Sequence, residues 1–295
     1  MTLSLGLLGV DSPHAAAFTR LLNGVDGAAP QVAGASMVAA WRGEPALDLP
    51  LSRDRIGPFA EKVEALGVPV SDDFDAVVEK SDALLVVAVD VRQHPGIVER
   101  AVKSGKPIYV DTRFAPTVVE ADRMLALAAD AGVLLLGGSP KRFARAFTDA
   151  VGPGPIEGID LNGPMPLQPP FEGVAWYGVH MIDMAIAAMG PECVAVTAVG
   201  GAHEVFTLEW GDGRVASIRG VPAWTPHTRG TVHRQSGSVP FDVSAEESML
   251  APLLDSIVRS CSTGVPNVPA AQLRSTVAVV EAANRARRVG RARVA

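Results

Sequence analysis

From the first residues to about position 139, short apolar, β-branched runs alternate with stretches whose apolar residues recur at helical spacing. The runs Leu3–Leu8, 37–41, 83–89, 107–110 and 133–136 are apolar throughout, as strands are when both faces of a parallel sheet are covered. Between them Phe59, Val63 and Leu66 stand at i, i+4 and i+7 with Gly67 behind them, and Val98, Ala101 and Val102 repeat the arrangement ahead of Gly105. Thr117-Val118-Val119-Glu120 is a capping-box pattern opening a helix that Gly132 ends, and Ser12-Pro13 reads as an N-cap followed by proline at the first helical position.

After residue 140 the pattern changes. Gly152-Pro153-Gly154-Pro155 and the proline-rich stretch 164–170 flank one short strand, and an apolar helix over about 176–189 ends at Gly190-Pro191. Alternating strands follow at 193–199, 203–210, 214–220 and 229–234. The second and third are joined by Gly211-Asp212-Gly213, a hairpin turn, so this half carries an antiparallel sheet. Two helices finish the chain, one striped with Met249, Leu250, Leu253, Leu254, Ile257 and Cys261, the other with Leu273, Val277 and Val280. The pattern predicts an α/β domain over 1–139 with a Rossmann-like, doubly wound parallel sheet. An α+β domain with a mostly antiparallel sheet follows over 140–295, its last helix placed to pack back on the first.

Composition narrows the class. With 295 residues, 48% of them hydrophobic and 20% charged, the chain can bury the apolar area that one big domain or two ordinary ones require. No apolar run approaches the ~20 residues of a membrane span, and the first residues lack a basic segment and cleavage site, so a cytoplasmic protein is expected. Cys193 and Cys261 have no metal-like or redox spacing and read as free thiols. A net charge of −6 offers no basic stripe for nucleic acid, and the cluster Arg285, Arg287, Arg288, Arg291 and Arg293 reads as a solvated helix end.

Tyr177, His180 and Asp183, at i, i+3 and i+6, form one polar ridge on an otherwise apolar helix. An aspartate three residues after a histidine can hold one ring nitrogen while the other faces a substrate proton; equally, the two can be a buried structural pair. At the start of the chain Gly9, Asp11 and His14 stand where a dinucleotide loop G-x-G-x-x-G carries glycine. A carboxylate at Asp11 would repel a diphosphate, and Ser12 would occupy donors that a phosphate uses. Arg42, after the second strand, suits a 2′-phosphate or plain solvent. His94 follows the third apolar run, where ligands bind in such sheets but where polar caps are also common. His227 and His233, with Arg229 and Arg234, can line a pocket for an anionic substrate or face water; Arg113 can hold a carboxylate or phosphate by its fork of donors, and Arg113, Lys141 and Arg142 each read more readily as surface residues than as a site. A metal site from His180, Asp183 and another histidine has no close-spaced ligand pair behind it, so none is expected.

The order of elements and three motifs resemble the Gfo/Idh/MocA family of NAD(P)-dependent oxidoreductases over nearly the whole chain. The motifs are Leu5-Gly6-Leu7-Leu8-Gly9, Gly105-Lys106-Pro107-Ile108-Tyr109-Val110-Asp111, and Tyr177-Gly178-Val179-His180-Met181-Ile182-Asp183. In that family the second motif runs into a Glu/Asp-Lys-Pro tripeptide whose lysine lies by the nicotinamide, and the third, Gly-x-His-x-x-Asp, supplies a proton-exchanging histidine. Here the tripeptide reads Asp111-Thr112-Arg113, with Thr112 at the lysine position. The resemblance implies hydride transfer between NAD(P) and a small polyol, sugar or imino substrate, with His180 as proton donor or acceptor, Asp183 orienting it, and Tyr177, Thr112 and Arg113 beside them. It places the cofactor near Gly9, Asp11, Ser12, His14, Arg42, His94 and Asp111. Thr112 and Asp11 leave room for a family-derived enzyme without redox function, running a dehydration, hydrolysis or cyclisation in the same cleft; a non-catalytic sensor or scaffold is a third reading. Strands around Phe206, Leu208 and Trp210 whose other face carries Val205 and Thr207 suggest a homo-oligomer, a dimer or tetramer.

Overall fold

The computed structural model describes residues 2–25, 27–171 and 173–295. The chain runs β1 (Leu3–Leu8), α1 (Pro13–Asn23), β2 (Ala35–Trp41), α2 (Pro50–Arg53), α3 (Ile56–Ala65), β3 (Val70–Ser71), α4 (Phe74–Lys80), β4 (Ala83–Val86), α5 (His94–Ala101), β5 (Ile108–Val110), α6 (Val118–Asp130) and β6 (Leu135–Leu136). The six strands form one parallel sheet in the order β3-β2-β1-β4-β5-β6, a doubly wound arrangement in which the chain reverses direction across the sheet at β1/β4. Leu5, Leu7, Leu84, Leu85, Val86 and Ile108 have no exposed surface, which is why these strands carry no alternation. The caps read from the sequence are in place: Ser12 Oγ accepts from the His14 N–H at 3.2 Å and Thr117 Oγ1 from the Glu120 N–H at 3.2 Å.

Register brings the ends of the central strands together. Leu8 stands opposite both Trp41 and Val86, and Val86 opposite Val110, so residues 9–12, 42–43, 87–90 and 111–113 all leave one edge of the sheet. Gly9 holds that edge closed. Its φ of +92° lies in the left-handed region, and a β-carbon there would come within 2.9 Å of the Ala88 backbone.

The second part of the chain continues with α7 (Pro140–Phe143), α8 (Arg145–Val151), β7 (Gly158–Pro164), α9 (Val179–Met189), β8 (Cys193–Val199), β9 (Glu204–Trp210), β10 (Val215–Val221), β11 (His227–Arg234), β12 (Gly237–Ser244), α10 (Ala251–Thr263), α11 (Ala270–Val289) and β13 (Arg291–Arg293). Seven strands form a second sheet in the order β12-β11-β7-β10-β9-β8-β13, antiparallel except for the β7/β10 pair. Phe206, Leu208 and Trp210 face its core, while Val199, Val205 and Val215 share the other face with Thr197, Thr207 and Glu209. That mixed face is the surface on which the sequence reading puts a second copy of the chain.

Several elements depart from the sequence pattern. The strand β12 escapes it because only Phe241 and Val243 are buried, and Pro240 is tolerated because β12 is an edge strand. The terminal arginines are a helix end only in part: Arg285, Arg287 and the exposed Arg288 lie in the last turns of α11, where Arg287 pairs with Glu204 at 2.7 Å, whereas Arg291 begins the edge strand β13 and pairs with Glu209. The helix expected from 176 begins at Val179, so Tyr177 lies in the turn before it. A 3₁₀ turn over Gly173–Ala175 precedes, and Gly178 is packed so tightly on Val174 that a β-carbon would stand 2.8 Å from it. The compact units also differ from a single cut after residue 139. One comprises residues up to Gly137 with Leu250–Val268, the other Gly138–Met249 with Pro269–Ala295, so α10 belongs to the first and α11 to the second. Asn267 fastens the returning segment by two hydrogen bonds to the Gly137 backbone, of 3.1 and 3.3 Å. Among the described residues no helix is long and apolar enough to cross a membrane.

Replacing Gly9 by alanine should lower the stability of the first unit by about 2 kcal/mol or more, combining positive-φ strain with overpacking against Ala88. Denaturant unfolding of the two proteins, followed by circular dichroism, measures the difference.

Candidate active site

At this edge of the first sheet the chain's own charges face one another. The Asp11 carboxylate, expected to meet a diphosphate, is turned inward: Oδ1 accepts from the Val89 N–H at 2.8 Å and Oδ2 from the Ser52 hydroxyl. Burial pushes this carboxyl up, against the pull of those two bonds. His14 Nδ1 lies 2.5 Å from Asp111 Oδ2, and its ring stacks on Phe18 with centroids 5.2 Å apart. Burial opposes charge on both partners, yet their attraction prevails, raising His14 and, with the Tyr109 hydroxyl at 2.9 Å, holding Asp111 low. Arg113 donates to the Val89 carbonyl, and burial lowers its guanidinium to about 10 despite Asp111, Asp90 and Asp11.

Of the residues picked out for a cofactor, Gly9, Asp11, Ser12, His14 and Asp111 meet at this edge, together with Thr112 and Arg113. His94 does not aim outward. Its Nε2 lies 2.7 Å from the Ala88 carbonyl and its Nδ1 3.3 Å from that of Phe114, and burial keeps the ring neutral, so it ties two loops together. Arg42 is paired with the exposed Asp72 at 2.9 Å, a surface contact worth little.

In the second unit a denser cluster surrounds α9. Ser139 caps α7, its Oγ accepting from the Lys141 N–H, and the same hydroxyl lies 2.7 Å from His180 Nδ1. Asp183, 2% exposed, accepts from the Ser139 N–H at 3.0 Å, from Arg142 Nη1 at 2.9 Å and from the Thr276 hydroxyl at 3.1 Å. The aspartate expected to grip the histidine directly thus acts on it through Ser139, because its oxygens serve α7 and α11. The Tyr177 ring meets the His180 ring edge-on, centroids 4.8 Å apart, and carries Lys141 Nζ over its face at 4.9 Å. Trp224 Nε1 donates to the Tyr177 hydroxyl at 3.3 Å, while burial pushes that phenol up. Lys141 is itself buried, donates to Thr228 Oγ1 at 2.6 Å, and is lowered by burial to about 8.

His227 and His233 lie outside this cluster, in half-exposed pairs with Asp242 at 2.8 Å and Asp160 at 2.9 Å. Among the described residues no three histidine, cysteine or acidic side chains converge as a metal site.

Comparison with known proteins supplies a lineage. Residues 32–139 match the family model for an oxidoreductase family with an NAD-binding Rossmann fold, GFO_IDH_MocA. This segment belongs to the Gfo/Idh/MocA family. A search of curated proteins gave no significant match. Solved structures agree along the whole chain at low identity. Myo-inositol dehydrogenase from Lactobacillus casei, solved with NAD(H) and myo-inositol, has a TM-score of 0.78 at 15% identity, covering 100% of this chain and 97% of that one. UDP-N-acetylglucosamine 3-dehydrogenase from Acidithiobacillus ferrooxidans gives 0.76 at 18%, covering 97% and 98%. An oxidoreductase from Agrobacterium radiobacter, solved with NAD⁺, L-tartaric acid and magnesium, gives 0.75 at 16%, covering 100% and 99%. At such identities the likeness is one of fold.

The family match begins beyond α1, and α1 is where this chain differs from a Gfo/Idh/MocA cofactor loop. A helix start binds a diphosphate through unspent N–H groups. Here Pro13 has none, His14 N–H goes to Ser12 Oγ, Ala15 N–H to the Ser12 carbonyl, and Gly9 and Val10 N–H to the carbonyls of Trp41 and Arg42. These four N–H groups are therefore not available to a diphosphate held in that manner. At the position of the family lysine, Thr112 Oγ1 is buried with no hydrogen-bond partner among the described residues.

Sequence reasoning missed Ser139, Thr228 and Thr276. Ser139-Pro140 repeats the Ser12-Pro13 signal and was open to the same reading; the two threonines act across 87 and 93 residues and leave no local trace. Asp183→Asn should cost the second unit about 3–5 kcal/mol by stranding the Arg142 charge, read as a drop in urea midpoint. For Lys141 the folded chain releases its proton before the unfolded one does, so between about pH 8 and the ordinary lysine value near 10.4 stability rises with pH. Melting temperatures from pH 7.5 to 10.5 should show that rise in the wild type and lack it in Lys141→Met.

Proposed function

We propose that the chain is an enzyme acting on a small polyol, sugar or imino substrate, in which His180 exchanges the proton at the reacting oxygen or nitrogen. The observation that carries this reading is the anchored imidazole: Ser139 Oγ holds Nδ1 at 2.7 Å, and Asp183 fixes Ser139 through its backbone N–H at 3.0 Å. Ser139 can give its hydroxyl proton to Nδ1 or accept one from it, so Nε2 can hold a proton in one state and receive one in the other. The Tyr177 phenol, kept protonated by burial, offers a hydrogen bond to the same substrate. Thr112, with its unpartnered hydroxyl, is assigned a ligand contact at its own edge.

Two forms of this chemistry have support. The family match and the neighbours solved with NAD(H) favour hydride transfer with NAD(P). The spent donors at α1 and the threonine at the lysine position favour a non-redox reaction, a dehydration, hydrolysis or cyclisation. Titration with NADH and NADPH, followed by fluorescence and thermal shift, separates them: saturation at micromolar dinucleotide supports the first, none at millimolar the second.

His180→Asn tests the part common to both. It keeps a polar group of similar reach but no acid or base near neutral pH, and should lower turnover by about 10²–10⁴-fold with the melting temperature nearly unchanged. A large fall in melting temperature with the rate per folded molecule intact would make His180 a structural tie.

A further inference from the structure

Lys141 is a buried cation without a buried anion. Its side chain is 2% exposed, its Nζ donates to the Thr228 hydroxyl, and among the described residues no carboxylate stands within ion-pair distance of it. Asp183, the buried carboxylate of the same cluster, is already taken by Ser139, Arg142 and Thr276. An ammonium carries three donors, so Thr228 satisfies one of them. A charge kept from water is costly until an opposite charge meets it. The Tyr177 ring contacts both Lys141 and His180, with Lys141 Nζ 4.9 Å from its centroid and the His180 ring centroid 4.8 Å away, so the cation and the imidazole neighbour one another across a single ring.

We propose that Lys141 sets the specificity of this site: the substrate is a small hydroxy acid whose carboxylate pairs with the Lys141 ammonium while a nearby hydroxyl faces His180. The single positive charge matches a carboxylate. A phosphate monoester, at about −1.5 to −2, calls for a second cation, and Arg142 is committed to Asp183 and Gln272. The inference rests on the reading of His180 for the substrate's orientation, but binding of the acid requires no turnover, so the two can fail separately.

The test uses three acid and polyol pairs, glycerate with glycerol, tartrate with threitol and gluconate with glucitol, titrated calorimetrically into the full chain. Lys141→Met and Lys141→Gln are measured alongside, their folding checked by circular dichroism. At least one acid should bind about tenfold or more tightly than its polyol, the size of a hydrogen-bonded charge contact, and a folded lysine variant should lose that preference. No preference in any pair, or a preference retained in a folded variant, overturns the proposal. In His180→Asn the acid preference should persist; if it does while turnover is also unchanged, the catalytic reading falls and the specificity assignment stands.

Discussion

One carboxylate organises the second unit. Asp183 sits in the middle of α9, a helix buried nearly all round, where an ionised oxygen survives only with hydrogen-bonding partners. It finds them on three segments: the backbone before α7, the guanidinium of Arg142 within α7, and the hydroxyl of Thr276 on α11. Satisfying it fixes α7, α9 and α11 against one another to within a hydrogen bond. Ser139 is thereby pressed on His180, and Lys141, two residues further on and within α7, is carried over Tyr177. The geometry of the candidate chemistry follows from the need to neutralise a single buried charge.

The two units meet the same electrostatic problem differently. At the edge of the parallel sheet, carboxylates and cations are matched: His14 with Asp111, and Arg113 among Asp11, Asp90 and Asp111. Matching consumes the groups that would otherwise turn outward, and Asp11 is the extreme case, its oxygens spent on Val89 and Ser52. In the second unit the pairing stops one short, leaving a lysine with a hydroxyl for company. Where a chain completes its own ion pairs it builds structure, and where it leaves one incomplete it builds recognition.

What the sequence disclosed depended on range. The buried parallel strands, the hairpin at Gly211-Asp212-Gly213 and the caps at Ser12 and Thr117 are encoded within a few residues, and all stand where local pattern puts them. The edge strands β12 and β13 were hidden because an edge needs little apolar alternation. Tyr177 slipped off its helix because a spacing of three says nothing of where the first turn closes. The inward turn of Asp11 was beyond reach for a different reason: its partners lie 41 and 78 residues away, and no local rule fixes the direction of a short polar side chain. His180 drew notice because a polar residue in an apolar helix is itself a local anomaly.

The return of α10 to the first unit has a consequence for how the molecule is made. Residues up to Gly137 lack the helix that carries Leu253, Leu254 and Ile257 into their core, and the clasp of Asn267 on Gly137 closes only after 129 intervening residues have been synthesised. At about 5–20 residues per second, the first unit waits many seconds at the ribosome with an apolar face uncovered, while the whole of β7 through β12 emerges ahead of the helix that covers it. Neither unit is an uninterrupted stretch of chain, so no single cut in the sequence yields either one whole.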